Sequence, residues 1–184
     1  MSGRTGQGGE KTEDCSRDSS VRLRRLTHAD AVAASAWQYE GPWSVYDGSD
    51  EDPISSEKGY QAIVDEDGRF LGFLCTGADA RVRGLDAAPG VLDVGVGLDP
   101  SIVGQGRGAS ILGPVLDTLA ATSDESRVSA LRAVVQSWNV RSLRLCARLG
   151  FEEAGRHVAH EPGKDVEYVV VVRTTAAGGR REST

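Results

Sequence analysis

Three glycines at alternate positions, Gly104, Gly106 and Gly108, follow the apolar run "VLDVGVGL" (91–98) and open the helix-period stretch "ASILGPVLDTLA". Glycine loses more backbone freedom on folding than any other residue, so this placement needs a reason. A helix N-terminus carries unpaired N–H groups and partial positive charge, which favour an anion and above all a phosphate. Glycines let such N–H groups converge and let a ligand approach the backbone. Val103, Gly104, Gln105, Gly106, Arg107, Gly108 and Ala109 therefore read as a cradle for phosphate or pyrophosphate, with tight packing alone as the bland alternative. A Walker loop is excluded, because no Lys-Ser/Thr pair stands where GxxxxGK[ST] requires it. The dinucleotide fingerprint GxGxxG/A matches Gly104 to Ala109 formally, but it does not open the first βαβ unit, and Asp124 and Glu125 precede the next strand.

The elements that would carry this cradle can be read along 184 residues, a length that suits one domain. Hydrophobic residues at 39% and charged residues at 26% are an ordinary globular balance. Residues 1–19 and 174–184 are Gly, Ser, Thr and charge and read as disordered tails around a domain at 20–173. "VRLRRL" (21–26) alternates as a half-buried strand, and Thr27 with Asp30 signs a helix start over "HADAVAASAW". Residues 39–58 form a long acidic and aromatic loop. "YQAIV" and "RFLGFLCTG" flank the turn "DEDG" as a hairpin. Then come the 91–98 strand, a helix to about 121, the strand "RVSALRAVVQ", a helix "NVRSLRLCARLG" ended by Gly150, and two closing strands around "PGK". The order β-α-β-β-β-α-β-α-β-β is mixed α/β.

Composition excludes several classes. A net charge of -6 with no dense basic cluster inside the domain argues against nucleic acid. No apolar run reaches the roughly 18–20 residues needed to span a bilayer, and no secretory signal opens the chain. Three cysteines without a CxxC pair, Cys15, Cys75 and Cys146, predict neither a disulfide framework nor a metal site and point to a reducing cytoplasm. His157 and His160, three apart on a strand, face opposite sides and make a poor metal pair.

The stretch 91–151 resembles the GNAT superfamily of acyl-CoA-dependent N-acyltransferases. The family's [Q/R]xxGx[G/A] falls on Val103, Gly104, Gln105, Gly106, Arg107 and Gly108, with Val in place of the first Gln or Arg. About thirty residues on, "NVRSLRLCARLGF" (139–151) resembles the family's Asn, helix and Gly-Phe pattern. The resemblance implies a mostly antiparallel central sheet flanked by helices, with acetyl-CoA as co-substrate and no metal. It places the pyrophosphate on N–H groups of 104–109. The peptide-like pantetheine arm would lie against the end of the 91–98 strand, at Val96 and Leu98, where Gly95 and Gly97 suit close approach. Asn139 would cap its helix and also bond the cofactor arm.

Amide formation from an ammonium and a thioester needs a base, a stabiliser for the oxyanion and a proton for the departing thiolate. The family's thiolate donor is a Tyr four residues before the Gly of "GF", where this chain has Cys146, a smaller group with a weaker donor. Strand alternation puts Asp93 on the face of Gly95 and Gly97, where space for substrate is expected, so Asp93 is the first candidate base and Glu40 the second. Trp43 and Tyr46, with Trp37 and Tyr39 nearby, would shape the acceptor site, and the acidic run Asp47, Asp50, Glu51, Asp52 would attract a cation. The expected acceptor is a small-molecule or peptide amine, and the closing strands allow a homodimer. A non-catalytic acyl-CoA-binding or interaction domain of the same fold is the alternative.

Overall fold

The computed structural model describes residues 21–49, 53–122 and 128–175. In chain order the elements are β1 (Arg22–Arg25), α1 (His28–Ser35), β2 (Gln61–Val64), β3 (Phe70–Thr76), β4 (Val91–Leu98), α2 (Gly108–Thr122), β5 (Ala130–Gln136), α3 (Val140–Arg148), β6 (Glu152–Glu161) and β7 (Lys164–Thr174). They form one seven-stranded sheet in the order β1-β2-β3-β4-β5-β7-β6. Every neighbouring pair is antiparallel except β4 and β5. This is the expected mixed α/β order with a mostly antiparallel sheet.

Local chemistry sets the ends of these elements. Thr27 and Asp30 close a reciprocal capping box at the start of α1. Asp65 tightens the β2–β3 turn, its backbone accepting from the Gly68 N–H and its carboxylate from the Arg69 N–H. Along β2, Ala62 and Val64 face α1 while Ile63 faces the opposite core, as a period of two requires. The larger core joins Ile63, Leu71, Leu74, Val94 and Leu131 to Ile111, Leu112, Val115 and Leu116 of α2. The smaller one sets Leu26 and Ala31 on Ala62 and Val64.

Two stretches differ from expectation. β7 runs through Thr174, and Thr175 is buried, donating from its backbone to the Ser129 carbonyl and from its hydroxyl to the Val128 carbonyl. Two residues assigned to the C-terminal tail thus belong to the domain. The rest of both tails lies outside the described residues, as do Asp50, Glu51, Asp52, Asp124 and Glu125. The long loop contains a 3₁₀ helix at Gly41–Tyr46, begun with a proline in its first turn. The Gly48 N–H donates to the Trp37 carbonyl at 2.9 Å and closes this segment into a strap.

One feature of the sheet positions everything that follows. β4 and β5 pair at only three positions, Val91 with Ala130, Leu92 with Leu131 and Asp93 with Arg132. Past that point β4 continues to Leu98 paired with β3 alone, and β5 continues to Gln136 paired with β7 alone. The two strands splay, and each presents an unpaired backbone edge to the gap.

Candidate active site

The splay opens toward the C-terminal ends of β4 and β5, and both connections that leave those ends line its mouth. From β4 a short 3₁₀ turn, Pro100–Ile102, capped by the Asp99 carboxylate, leads to the glycine turn. Gly104 and Gly106 have φ of +84° and +76°, in the left-handed region that other residues enter only with strain. Neither has any atom within 4 Å of the place a Cβ would take, and the backbone from Gly104 to Arg107 is exposed. Gln105 bonds back to the Ser101 carbonyl at 2.6 Å and steadies the turn. This bare backbone at the start of a fifteen-residue helix suits an anion. Gly108 serves differently. A Cβ there would meet Leu145 of α3 at 2.9 Å, so its smallness lets α2 and α3 approach, and Ala109 follows inside the helix.

From β5 the chain turns through Trp138 to Asn139, the N-cap of α3. Asn139 is buried at 3% exposure, and its side chain is committed three times. Its oxygen accepts from the Ser142 N–H and from the Trp43 indole N–H, both at 3.2 Å. Its amide donates to the Tyr46 hydroxyl at 3.3 Å. Trp138 lies edge-on to Trp43 at 6.0 Å and stacks with Tyr46 at 6.2 Å, while the Arg141 guanidinium covers the Trp43 ring at 4.2 Å. The strap is therefore pinned to the start of α3. At its other end the Tyr39 hydroxyl donates to the Leu98 carbonyl at 2.8 Å. Burial together with the Asp99 and Asp47 charges pushes this phenol up to about 12, so it stays a donor.

Trp37 stacks on Phe70 and Phe73. Asp47 is exposed and accepts the Tyr39 N–H at 2.7 Å. Glu40 is exposed at the start of the strap helix, with no side-chain capping bond.

Two expectations change here. Asp93 does not face open space beside small residues. It is 1% exposed, with one oxygen on Arg132 Nε at 2.5 Å and the other on Arg81 at 3.1 Å. The room expected next to it is filled from β3, because a Cβ on Gly95 would meet the Cys75 sulfur at 2.8 Å and one on Gly97 the Phe73 ring at 2.4 Å. An enclosed carboxylate held by two guanidinium groups is a structural ion pair, and the surroundings do not support Asp93 as a base. Leu98, expected to pair with a ligand through its backbone, already serves Tyr39 through its carbonyl. Val96, 38% exposed in mid-strand, remains open at the gap.

Cys146 lies half-buried, packed with Leu143, Leu145 and Leu149 against the main core. Burial pushes its thiol up to about 11, so it is protonated at neutral pH.

Sequence reasoning passed over Trp138 and the Arg132 and Arg81 partners of Asp93. The signal for Arg132 was present: "ALRAVVQ" and "VLDVGVGL" each carry one charge inside an apolar run of the kind buried in a parallel pair. Trp138 gave no such sign.

Among the described residues no helix is long and apolar enough to cross a membrane, and no group of three His, Cys, Asp or Glu could hold a metal ion.

A splayed parallel pair followed by a glycine turn and an Asn-capped helix is the frame of one class of acyl-group transferase. The chain belongs to the acetyltransferase (GNAT) family, whose model matches residues 28–151. Solved structures repeat the fold. A phosphinothricin acetyltransferase from Sinorhizobium meliloti in complex with acetyl-CoA is 22% identical, with 89% of this chain and 93% of that one covered and a TM-score of 0.60. An acetyltransferase from Bacillus anthracis is 12% identical over 84% and 94%, with a TM-score of 0.62. AAC(6')-Ib in complex with ribostamycin and coenzyme A is 19% identical over 89% and 98%, with a TM-score of 0.59. Comparison with curated proteins by sequence gives no match.

Proposed function

We propose that the protein transfers an acetyl group from acetyl-CoA to the primary amine of a small-molecule or peptide acceptor, by direct attack in a ternary complex. The observation that carries this reading is the continuity of the unpaired β4 edge with the bare glycine turn. The edge from Val94 to Gly97 offers a peptide-like arm a strand to lie along. The backbone of Gly104 to Ala109 offers N–H groups to a pyrophosphate where a Cβ at Gly104 or Gly106 would stand in the way. Acetyl-CoA supplies the activated acyl group.

The chain's own groups then divide the work. The strap and Trp138 wall the mouth and give an acceptor an apolar surface. Glu40, exposed at the start of the strap, takes the ammonium proton through water. Cys146, protonated over the working range, gives its proton to the departing thiolate and is reprotonated through solvent by the proton that the attacking nitrogen loses as the amide forms. The amine-bearing ligand of AAC(6')-Ib supports a small-molecule acceptor here. The enclosure of Asp93 favours a second reading, an acyl-CoA-binding domain without turnover, because it removes the first candidate base from chemistry.

The test is a thermal-shift series with acetyl-CoA, CoA, NAD and NADP, followed by thiol release over a panel of amines. Stabilisation by both CoA species and not by the nicotinamides, with amine-dependent thiol release, is the expected result. No shift with any CoA species at millimolar concentration overturns the acyltransferase reading. Binding without thiol release selects the second reading.

A further inference from the structure

The last β4–β5 pair joins Asp93 to Arg132, two charged residues in a sheet interior. Their side chains are 2% and 10% exposed and meet at 2.5 Å. Arg81, 24% exposed, bonds the second carboxylate oxygen, and Arg132 also donates to the Asp86 carbonyl at 2.7 Å. The cluster thus ties together both strands and the connection between β3 and β4. Burying charge costs desolvation, and well-packed apolar residues would hold two strands together as firmly. The cluster is placed where stability alone does not ask for it, at the position where strand pairing stops.

We propose that Arg81, Asp93 and Arg132 are positioning residues for the acyl-CoA site: they form a wedge that fixes where β4 and β5 part, and so sets the depth and width of the slot for the pantetheine arm. The inference rests on the acetyl-CoA reading above. The wedge fixes geometry that apolar contacts leave adjustable. Arg132 bonds Asp93 through Nε and the Asp86 carbonyl through Nη2, so its guanidinium plane is held from two sides. Without it, the strands can pair one step further and narrow the gap, or slide apart and loosen it. The glycine turn, built by its own φ angles and the Gln105 bond, does not depend on the wedge.

That independence supplies the test. The wild type, the double variant Asp93→Leu/Arg132→Met and Arg132→Lys are titrated calorimetrically with two probes. One is acetyl-CoA. The other is adenosine 3′-phosphate 5′-diphosphate, the nucleotide half, which carries the pyrophosphate and no pantetheine. The double variant keeps apolar volume at the pair. Arg132→Lys keeps the charge, loses the two-sided hold, and carries the comparison if the double variant does not fold. In folded variants acetyl-CoA affinity is expected to fall at least tenfold and nucleotide affinity to stay within threefold. Equal weakening of both probes, or weakening of neither, overturns the wedge. Failure of the wild type to bind acetyl-CoA is a different result, which removes the acyl-CoA reading on which the wedge depends.

Discussion

Replacing Asn139 removes the joint between the strap and α3, and the size of the effect follows from its three bonds. The bond to the Ser142 N–H is a helix N-cap, worth about 1 kcal/mol on substitution by alanine. The bonds to the Trp43 indole and the Tyr46 hydroxyl are ordinary neutral hydrogen bonds of about 1 kcal/mol or less each. Asn139→Ala is therefore expected to cost about 2–3 kcal/mol, a fall in Tm of about 5–10 °C for a domain of this size. Asn139→Ser keeps a good cap but cannot reach the strap, so it is expected to cost about 1 kcal/mol less than alanine. Urea unfolding followed by tryptophan fluorescence suits the question, since Trp43 and Trp138 both touch the joint. The shift should appear in the midpoint at constant slope. An alanine variant within about 0.5 kcal/mol of wild type, or serine and alanine variants of equal stability, would refute the assignment of Asn139 as both cap and strap anchor.

Four further outcomes are expected. Gly106→Ala forces a side chain into a φ of +76° and puts a methyl in the open cradle, so acetyl-CoA affinity should fall at least tenfold by calorimetry; a change under threefold contradicts the cradle. Glu40→Gln should lower turnover at least tenfold while leaving acetyl-CoA affinity within twofold, measured by steady-state kinetics and titration. Cys146→Ala should slow amine-dependent thiol release at saturating acetyl-CoA, and unchanged turnover would return Cys146 to packing alone. Asp30 is held down to about 2 mainly by its hydrogen bond with Arg24, together with those from Thr27. A depressed carboxylate stabilises above its unfolded value and loses that contribution as pH falls through its folded one. About 2 kcal/mol should therefore disappear between pH 4 and about pH 2, and Asp30→Asn should flatten that part of the urea-midpoint profile against pH.

How far the sequence could be read depended on the range of the interactions. β4 was legible because apolar runs and flanking turns are local, and its bounds agree with expectation. The capping box at Thr27 and the turn at Asp65 were legible for the same reason. The glycine turn was seen as one unit, yet its members act separately. Gly104 and Gly106 answer to backbone angle, whereas Gly108 answers to Leu145, thirty-seven positions away. Asp93 was misread because alternation gives its face but not what fills that face, and its partner Arg132 is thirty-nine residues on. The strap helix escaped notice because its stability comes from Asn139 and Trp138, near a hundred residues away, rather than from its own sequence.

The outer strands of the sheet bear on the unpaired edge within it. β1 carries Arg22, Arg24 and Arg25, and the other border, β6, carries Glu152, Glu153, Arg156 and Glu161. Charge along a border strand discourages another chain from adding to it. The inner edge from Val94 to Gly97 has no such guard. Its residues are Val and Gly, and it lies where β4 and β5 diverge. The sheet thus carries charge along its rims and leaves an apolar, unpaired backbone edge at its centre.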